Sequence, residues 1–186
     1  KRVTEPLKRM GASIDGRDHA NYAPLTVQGG RLAGIGWKNE IASAQVKSAI
    51  LLAGLYAEGE TWVEEPIPSR DHTERLLLAS GAPFQQSSFR SVVKKTDRLK
   101  AIQFCVPGDI SSAAFLIVAA LLVPNSNLIV KHVGLNPTRI GLIEVLKSMG
   151  AKISFEITEN KNEPVGTIRV ESSRLKGTVV NQNLIP

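Results

Sequence analysis

Between Val46 and Ala57 only Lys47 and Ser48 interrupt a run of Ala, Ile, Leu, Gly and Tyr. A helix apolar on every side past its first turn belongs inside a protein. The run has roughly half of the ~20 apolar residues that cross a bilayer, which makes it a core helix rather than a membrane span. Ser43 stands where an N-cap belongs and Gly59 stops the run. Thr61 to Glu65 then reads as a strand, Pro66 to Arg70 as a turn, and Asp71 to Leu78 as a second helix with Leu76 and Leu77 inward and Gly81 as its stop. Pro83 to Gln86 and Phe89 to Lys95 have the pattern of a hairpin, and Ile102 to Val106 that of one more strand, which predicts a buried thiol at Cys105. Upstream, Thr4 to Met10 reads as a helix with Pro6 in its first turn and Gly11 past its end. Gly16 to Asn21 is a polar loop in which Arg17 and His19 read as solvated, followed by extended pieces at Leu25 to Gln28 and Ile35 to Lys38.

The same order returns further along the chain. A shift of 69 residues, with no gap, brings Ser43 onto Ser112, Pro68 onto Pro137, Ser69 onto Thr138, Arg70 onto Arg139, Leu77 onto Leu146, Gly81 onto Gly150 and Ala82 onto Ala151. The second copy carries an apolar helix over Ala113 to Val123, a strand over Leu128 to Lys131 and an amphipathic helix over Ile140 to Met149. It ends in strands over Ala151 to Thr158 and Val165 to Glu171, with a turn at Asn160 to Glu163. Met10, Gly11 and Ala12 close a third, partial copy. Alternate polar positions, such as Ser154, Glu156 and Thr158, leave one sheet face to water. A repeated unit of this kind predicts an α/β protein with helices inside and sheet outside. The break at Pro107 and Gly108 marks a boundary between a domain over 1–106 and another over 107–186.

Charge narrows the choice of partner. The net charge of +6 and a pI near 9.6 favour anions. Lys and Arg are scattered, the cluster Lys94, Lys95, Arg98, Lys100 has no interleaved aromatics, and aromatics make up 5% of the chain, so small anions fit better than nucleic acid. The opening of the central helix suits them, because its N–H groups point outward at the positive end of the helix dipole. One cysteine excludes an internal disulfide and, with no signal-peptide pattern at the start, predicts a reducing, cytoplasmic setting. The opening at Lys1 and the end at Ile185 and Pro186 read as cuts within a longer sequence.

Four blocks, ASAQVKSAILLAGLYAEGET, PSRDHTERLL, VPGDISSAAFLIVAALLVP and GLNPTRIGLIEVLKSMGA, closely resemble the 5-enolpyruvylshikimate-3-phosphate synthase family, in the same order and across nearly all of the chain. The resemblance implies an inside-out α/β barrel built from repeated βαβαββ units, incomplete at both ends here. It also implies transfer of the enolpyruvyl group of phosphoenolpyruvate to the 5-hydroxyl of shikimate 3-phosphate, with release of phosphate. This is the shikimate-pathway step of aromatic amino acid biosynthesis that glyphosate inhibits. The resemblance further implies a monomer that needs no metal or organic cofactor.

On the same basis Ser43 would hold the 3-phosphate through its hydroxyl and Ala44 through its backbone, Gln45 would bridge the two substrates, and Arg70 would contact shikimate 3-phosphate. Ser69 and His72 flank that arginine and would line the pocket. Asp109, Ser111 and Ser112 read as helix capping in the second copy, and Arg139 as a structural mirror of Arg70. The proton-transfer groups of the family fall outside these residues, so no catalytic residue is assigned and the segment alone is expected to be inactive. Two other readings stay open at this point: the sister transferase acting on UDP-N-acetylglucosamine, and a basic RNA-binding or RNA-processing module on a related fold.

Overall fold

Pro6 in the first turn and Gly11 past the last bracket α1 (Thr4–Arg9), as the sequence predicts. The computed structural model describes residues 1–180; the chain end at Ile185 and Pro186 lies outside the described residues. The described chain separates into two units, Lys1–Ile102 and Gln103 onward.

In the first unit α1 leads into an antiparallel ribbon of β1 (Ser13–Gly16) and β2 (Tyr22–Gln28). The polar loop between them is a single turn, α2 (Arg17–Ala20), with Asp18 and His19 at positive φ. A complete βαβαββ unit follows: β3 (Gly36–Lys38), α3 (Ala44–Gly54), β4 (Glu60–Glu64), α4 (His72–Ala79), β5 (Phe84–Gln86) and β6 (Arg90–Lys94). Its sheet runs β3-β4-β6-β5. Strands β3 and β4 are parallel because α3 carries the chain back between them, and the other pairs are antiparallel.

Period-2 alternation decides which face of this sheet is buried. Thr61 and Val63 of β4 and Ser91 and Val93 of β6 turn inward, while Trp62 faces outward beneath the Arg90 guanidinium, 4.2 Å from its ring centre. Val46, Ile50, Leu51 and Leu55 close over the inner face with Met10, Leu77 and Phe84. Helix and sheet come close at Gly54, where a Cβ would lie 2.7 Å from both Thr61 Cβ and Val93 Cγ2. Only glycine lets α3 seat at this depth.

The second unit repeats this plan with α5 (Ile110–Leu122), β7 (Asn127–Gly134), α6 (Gly141–Ser148), β8 (Lys152–Asn160) and β9 (Pro164–Glu171), its sheet ordered β7-β9-β8. The shift of 69 carries α4 onto α6 residue for residue. The helix ends agree in detail. Ala12, Ala82 and Ala151 donate to the carbonyls of Leu7, Leu77 and Leu146, each at 3.0 Å, and Gly11, Gly81 and Gly150 donate to Lys8, Leu78 and Lys147. This is one Schellman closure made three times, and the positive φ of +99°, +69° and +89° at its glycines is what the closure requires.

Two expectations fail. Ile102 to Val106 is not a strand and Cys105 is exposed. Where the first unit has β3, the second keeps a single parallel bridge, with the Gly108 N–H donating to the His132 carbonyl and the Gly134 N–H to the Gly108 carbonyl. Pro107 has no N–H with which to extend that pairing, so the thiol lies outside any sheet, 3.7 Å from His132 Nε2. The apolar helices, too, are buried on one side only: Leu52 and Phe115 are 50% and 80% exposed. Each described sheet covers one face of its helix, and both sheets are open, so the expected barrel is not closed by the described residues.

Candidate functional site

The opening of α3 is set by Ser43, whose extended backbone (φ −152°, ψ 102°) turns the chain into the helix. Its Oγ accepts from the Val46 N–H at a long 3.5 Å, while the Lys47 N–H bonds to the Ser43 carbonyl. The N–H groups of Ala44 and Gln45 take no acceptor among the described residues. Two donors therefore point outward at the positive end of the helix dipole. Ser43 and Ala44 are half-buried and Gln45 is exposed. Beside them lies a cleft of about 650 Å³ whose lining includes Ser43, Lys1, Arg2, Arg9 and Lys38.

Behind the helix opening is a buried ion cluster that sequence reasoning missed. Lys47 Nζ lies 2.8 Å from Glu65 Oε2 and 2.6 Å from Glu74 Oε1, and all three side chains are 4% exposed or less. Glu65 Oε1 accepts the Ser43 N–H at 2.9 Å, and the Ser69 hydroxyl reaches both Glu65 oxygens, at 2.9 and 2.7 Å. Burial pushes the Glu65 carboxyl up, but the hydrogen bonds from Lys47, Ser69 and the Ser43 N–H outweigh it and hold the group below its ordinary value. One signal was available: Lys47 is the one charge inside an apolar helix, and a buried lysine requires carboxylate partners.

This cluster determines how the predicted residues meet. Ser43 and the turn carrying Arg70 converge on the single carboxylate of Glu65, although they come from different elements. Ser69 is buried and turned onto Glu65, so it holds the turn rather than lining an open pocket. Arg70 is half-buried, with no ion pair among the described residues. His72 opens α4 beside Asp71, which pairs with Arg75 at 2.9 Å. One turn further along α3, the Ser48 hydroxyl meets that of Thr73 at 2.6 Å.

The second repeat shows the same parts with their anion built in. Asp109 caps α5, accepting from the Ser111 and Ser112 N–H groups at 3.2 and 3.1 Å, and Arg139 Nη2 bonds its carboxylate at 3.0 Å and the Ser111 hydroxyl at 2.5 Å. The Ser111 N–H bond is the main reason that the Asp109 carboxyl sits below its ordinary value; burial opposes it, and the Ser112 bonds and Arg139 add to the lowering. The turn before Arg139 is anchored by buried Asn136, which accepts from the N–H and hydroxyl of Thr138. The capping role of Asp109 and the structural role of Arg139 stand as expected. Against that pattern, the first repeat has a helix opening whose Ala44 and Gln45 N–H groups take no acceptor, and an arginine that makes no ion pair, among the described residues. No group of His, Cys, Asp and Glu suited to a metal ion occurs among the described residues.

The family model for EPSP synthase (3-phosphoshikimate 1-carboxyvinyltransferase) matches residues 1–186. The 3-phosphoshikimate 1-carboxyvinyltransferase of Bacillus licheniformis is 51% identical over 187 residues, covering 100% of this chain and 44% of the relative. That of Desulforudis audaxviator is 53% identical over 186 residues, covering 100% of this chain and 43% of the relative. An EPSP synthase structure from Acinetobacter baumannii superposes with a TM-score of 0.84 at 41% identity, over 99% of this chain and 42% of that one. The enolpyruvyl transferase NikO from Streptomyces tendae shares the fold, with a TM-score of 0.67 at 14% identity over 92% of this chain and 41% of that one. By the match along its whole length and by the enolpyruvyl transferase fold of its repeats, the chain belongs to the EPSP synthase family, and it spans less than half the length of the curated relatives it matches.

Proposed function

We propose that the full-length protein carrying this segment transfers the enolpyruvyl group of phosphoenolpyruvate to the 5-hydroxyl of shikimate 3-phosphate and releases phosphate. The observation that carries this reading is the helix opening at Ser43, whose outward N–H donors take no acceptor among the described residues, and a tied-in turn that presents an arginine with no ion pair among them, in a chain of this family. Ser43 and Ala44 bind the 3-phosphate through the serine hydroxyl and the free Ala44 N–H. Gln45, exposed in the first turn, both donates and accepts, and so bridges two anionic substrates. Arg70 supplies the charge that its mirror Arg139 spends on Asp109. The chemical step draws on groups from the rest of the protein, and this segment contributes binding and orientation.

The protein works as a cytoplasmic monomer on small anions, without nucleic acid. Its two domains divide this segment into 1–106 and 107–186, a reading supported by compact units that part between Ile102 and Gln103. No helix among the described residues is long and apolar enough to cross a membrane. The test is phosphate release by the full-length protein given phosphoenolpyruvate with either shikimate 3-phosphate or UDP-N-acetylglucosamine. Release with shikimate 3-phosphate alone is expected. Release with the nucleotide sugar alone, or with neither, overturns the reading.

A further inference from the structure

We propose that Glu65 is a positioning residue of the anion site: its one carboxylate holds both the Ser43 N–H that opens α3 and the Ser69 hydroxyl that precedes Arg70, and so fixes the distance between the helix donors and the arginine. This rests on the reading of Ser43 and Arg70 as substrate contacts. Three features set the arrangement apart from ordinary structural capping. The bonds go to the N-cap residue's own N–H and leave the outward donors of Ala44 and Gln45 free. The carboxylate is itself held from behind by Lys47, whose other partner, Glu74, lies on α4, so helix, turn and following helix share one centre. The second repeat, whose helix opening is already filled by Asp109, anchors its turn through the neutral amide of Asn136, which accepts from Thr138 and donates to Glu163 at 3.0 Å. In the second repeat the arginine of the turn itself reaches the helix opening, bonding Asp109 and Ser111, whereas in the first Glu65 makes that bridge and Arg70 has no ion pair among the described residues.

The cluster also makes the test clean. Lys47 faces two carboxylates, so removing the charge of Glu65 leaves the Lys47–Glu74 pair balanced and strands no buried ion. The wild-type full-length protein is compared with Glu65→Gln, which keeps an oxygen acceptor for Ser43 and Ser69, and Glu65→Leu, which keeps neither. Loss of a hydrogen bond to a charged group predicts a rise of about tenfold or more in both KM and Kd for shikimate 3-phosphate in Glu65→Leu. The Gln variant recovers most of that loss, KM for phosphoenolpyruvate moves less, and hydrogen exchange at the Ser43 amide accelerates in the Leu variant only.

Equal KM values in all three proteins would overturn the proposal. So would equal shifts in both variants, or a fall in thermal stability with no change in KM. If the wild-type protein neither binds nor turns over shikimate 3-phosphate, the substrate reading fails on its own. The Ser43 amide then decides for Glu65: unchanged exchange in Glu65→Leu overturns the bracket, and accelerated exchange supports it.

Discussion

Lys47→Met is the sharpest perturbation of this segment, because it removes a single cation from between two buried carboxylates. At separations of 2.8 and 2.6 Å the ammonium attracts each partner by about 6 kcal/mol at an effective dielectric of 20. Desolvation of all three groups offsets much of that, and breaking a buried pair typically costs about 3–5 kcal/mol because a charge is left uncompensated. For a domain of this size each kcal/mol lowers Tm by roughly 2–4 °C, so a drop of roughly 6–20 °C is expected at pH 7. The pH dependence carries the mechanism. In the wild type the Glu65 carboxyl is held low, so its stabilisation is present above the unfolded value and is lost as pH falls through the folded one. In the variant the carboxyls have no cation, and the folded state gains by taking up a proton. Its stability therefore falls as pH rises, so the gap from wild type is widest at neutral pH and closes toward about pH 4. Thermal unfolding of the full-length protein between pH 4 and 8 measures this. A gap within about 2 °C at pH 7, or one that does not narrow in acid, would refute the assignment of Lys47 as the charge centre of the site.

Arg70→Gln is expected to raise KM for shikimate 3-phosphate about tenfold or more while leaving Tm in place, since Arg70 makes no ion pair among the described residues; a large fall in Tm would show a structural arginine instead. Gly150→Ala puts a Cβ no closer than 4.0 Å to its nearest neighbour, the Arg174 carbonyl oxygen, at φ +89°, so it should cost about 1–2 kcal/mol from backbone strain rather than from a clash, read as a shift in the denaturant midpoint at constant m-value. Asp109→Ala removes a helix cap and should cost about 1 kcal/mol at pH 7, whereas Arg139→Met, which breaks a pair half-open to solvent, should cost no more than about 1 kcal/mol. The stabilisation from Asp109 is present above the ordinary carboxylate range and is lost as pH falls through its lowered value, so the two variants should converge on wild type in acid.

What the sequence made legible is what local rules decide. Gly11, Gly81 and Gly150 mark helix ends because a left-handed residue is needed there, and they fixed the repeat before any coordinates did. Ser43 and Asp109 cap their helices because short polar side chains reach the first free N–H groups. The ion cluster obeys no local rule. Lys47 read as residual polarity at a helix start and Glu65 as the end of a strand, and only folding α3 against β4 and α4 brings their charges together. Cys105 misled in the opposite sense. Its apolar neighbours carry the strand pattern, but a strand needs a partner ladder, and that part of the chain is held by one bridge at Gly108.

The two repeats make their turns from the same sequence positions and spend polar groups there differently, and the difference bears on function. At the second opening a carboxylate already occupies the N–H groups and the arginine, so an added phosphate would meet a filled site and like charge. At the first, the cap is a neutral hydroxyl, Arg70 has no ion pair among the described residues, and the carboxylate that accepts the Ser43 N–H, Glu65, is engaged by Lys47 and Ser69. An ionised carboxylate so close to a site for a phosphate would oppose binding unless its charge were matched. Lys47, 2.8 Å from Glu65 and 2.6 Å from Glu74, offsets part of that charge. The lysine therefore does more than hold the core: it lowers the repulsion between the anion and the strong acceptor that fixes the geometry of its site. Lys47→Met should then weaken shikimate 3-phosphate more than phosphoenolpyruvate even at temperatures where the variant is fully folded. Equal weakening of both substrates would assign the lysine to stability alone.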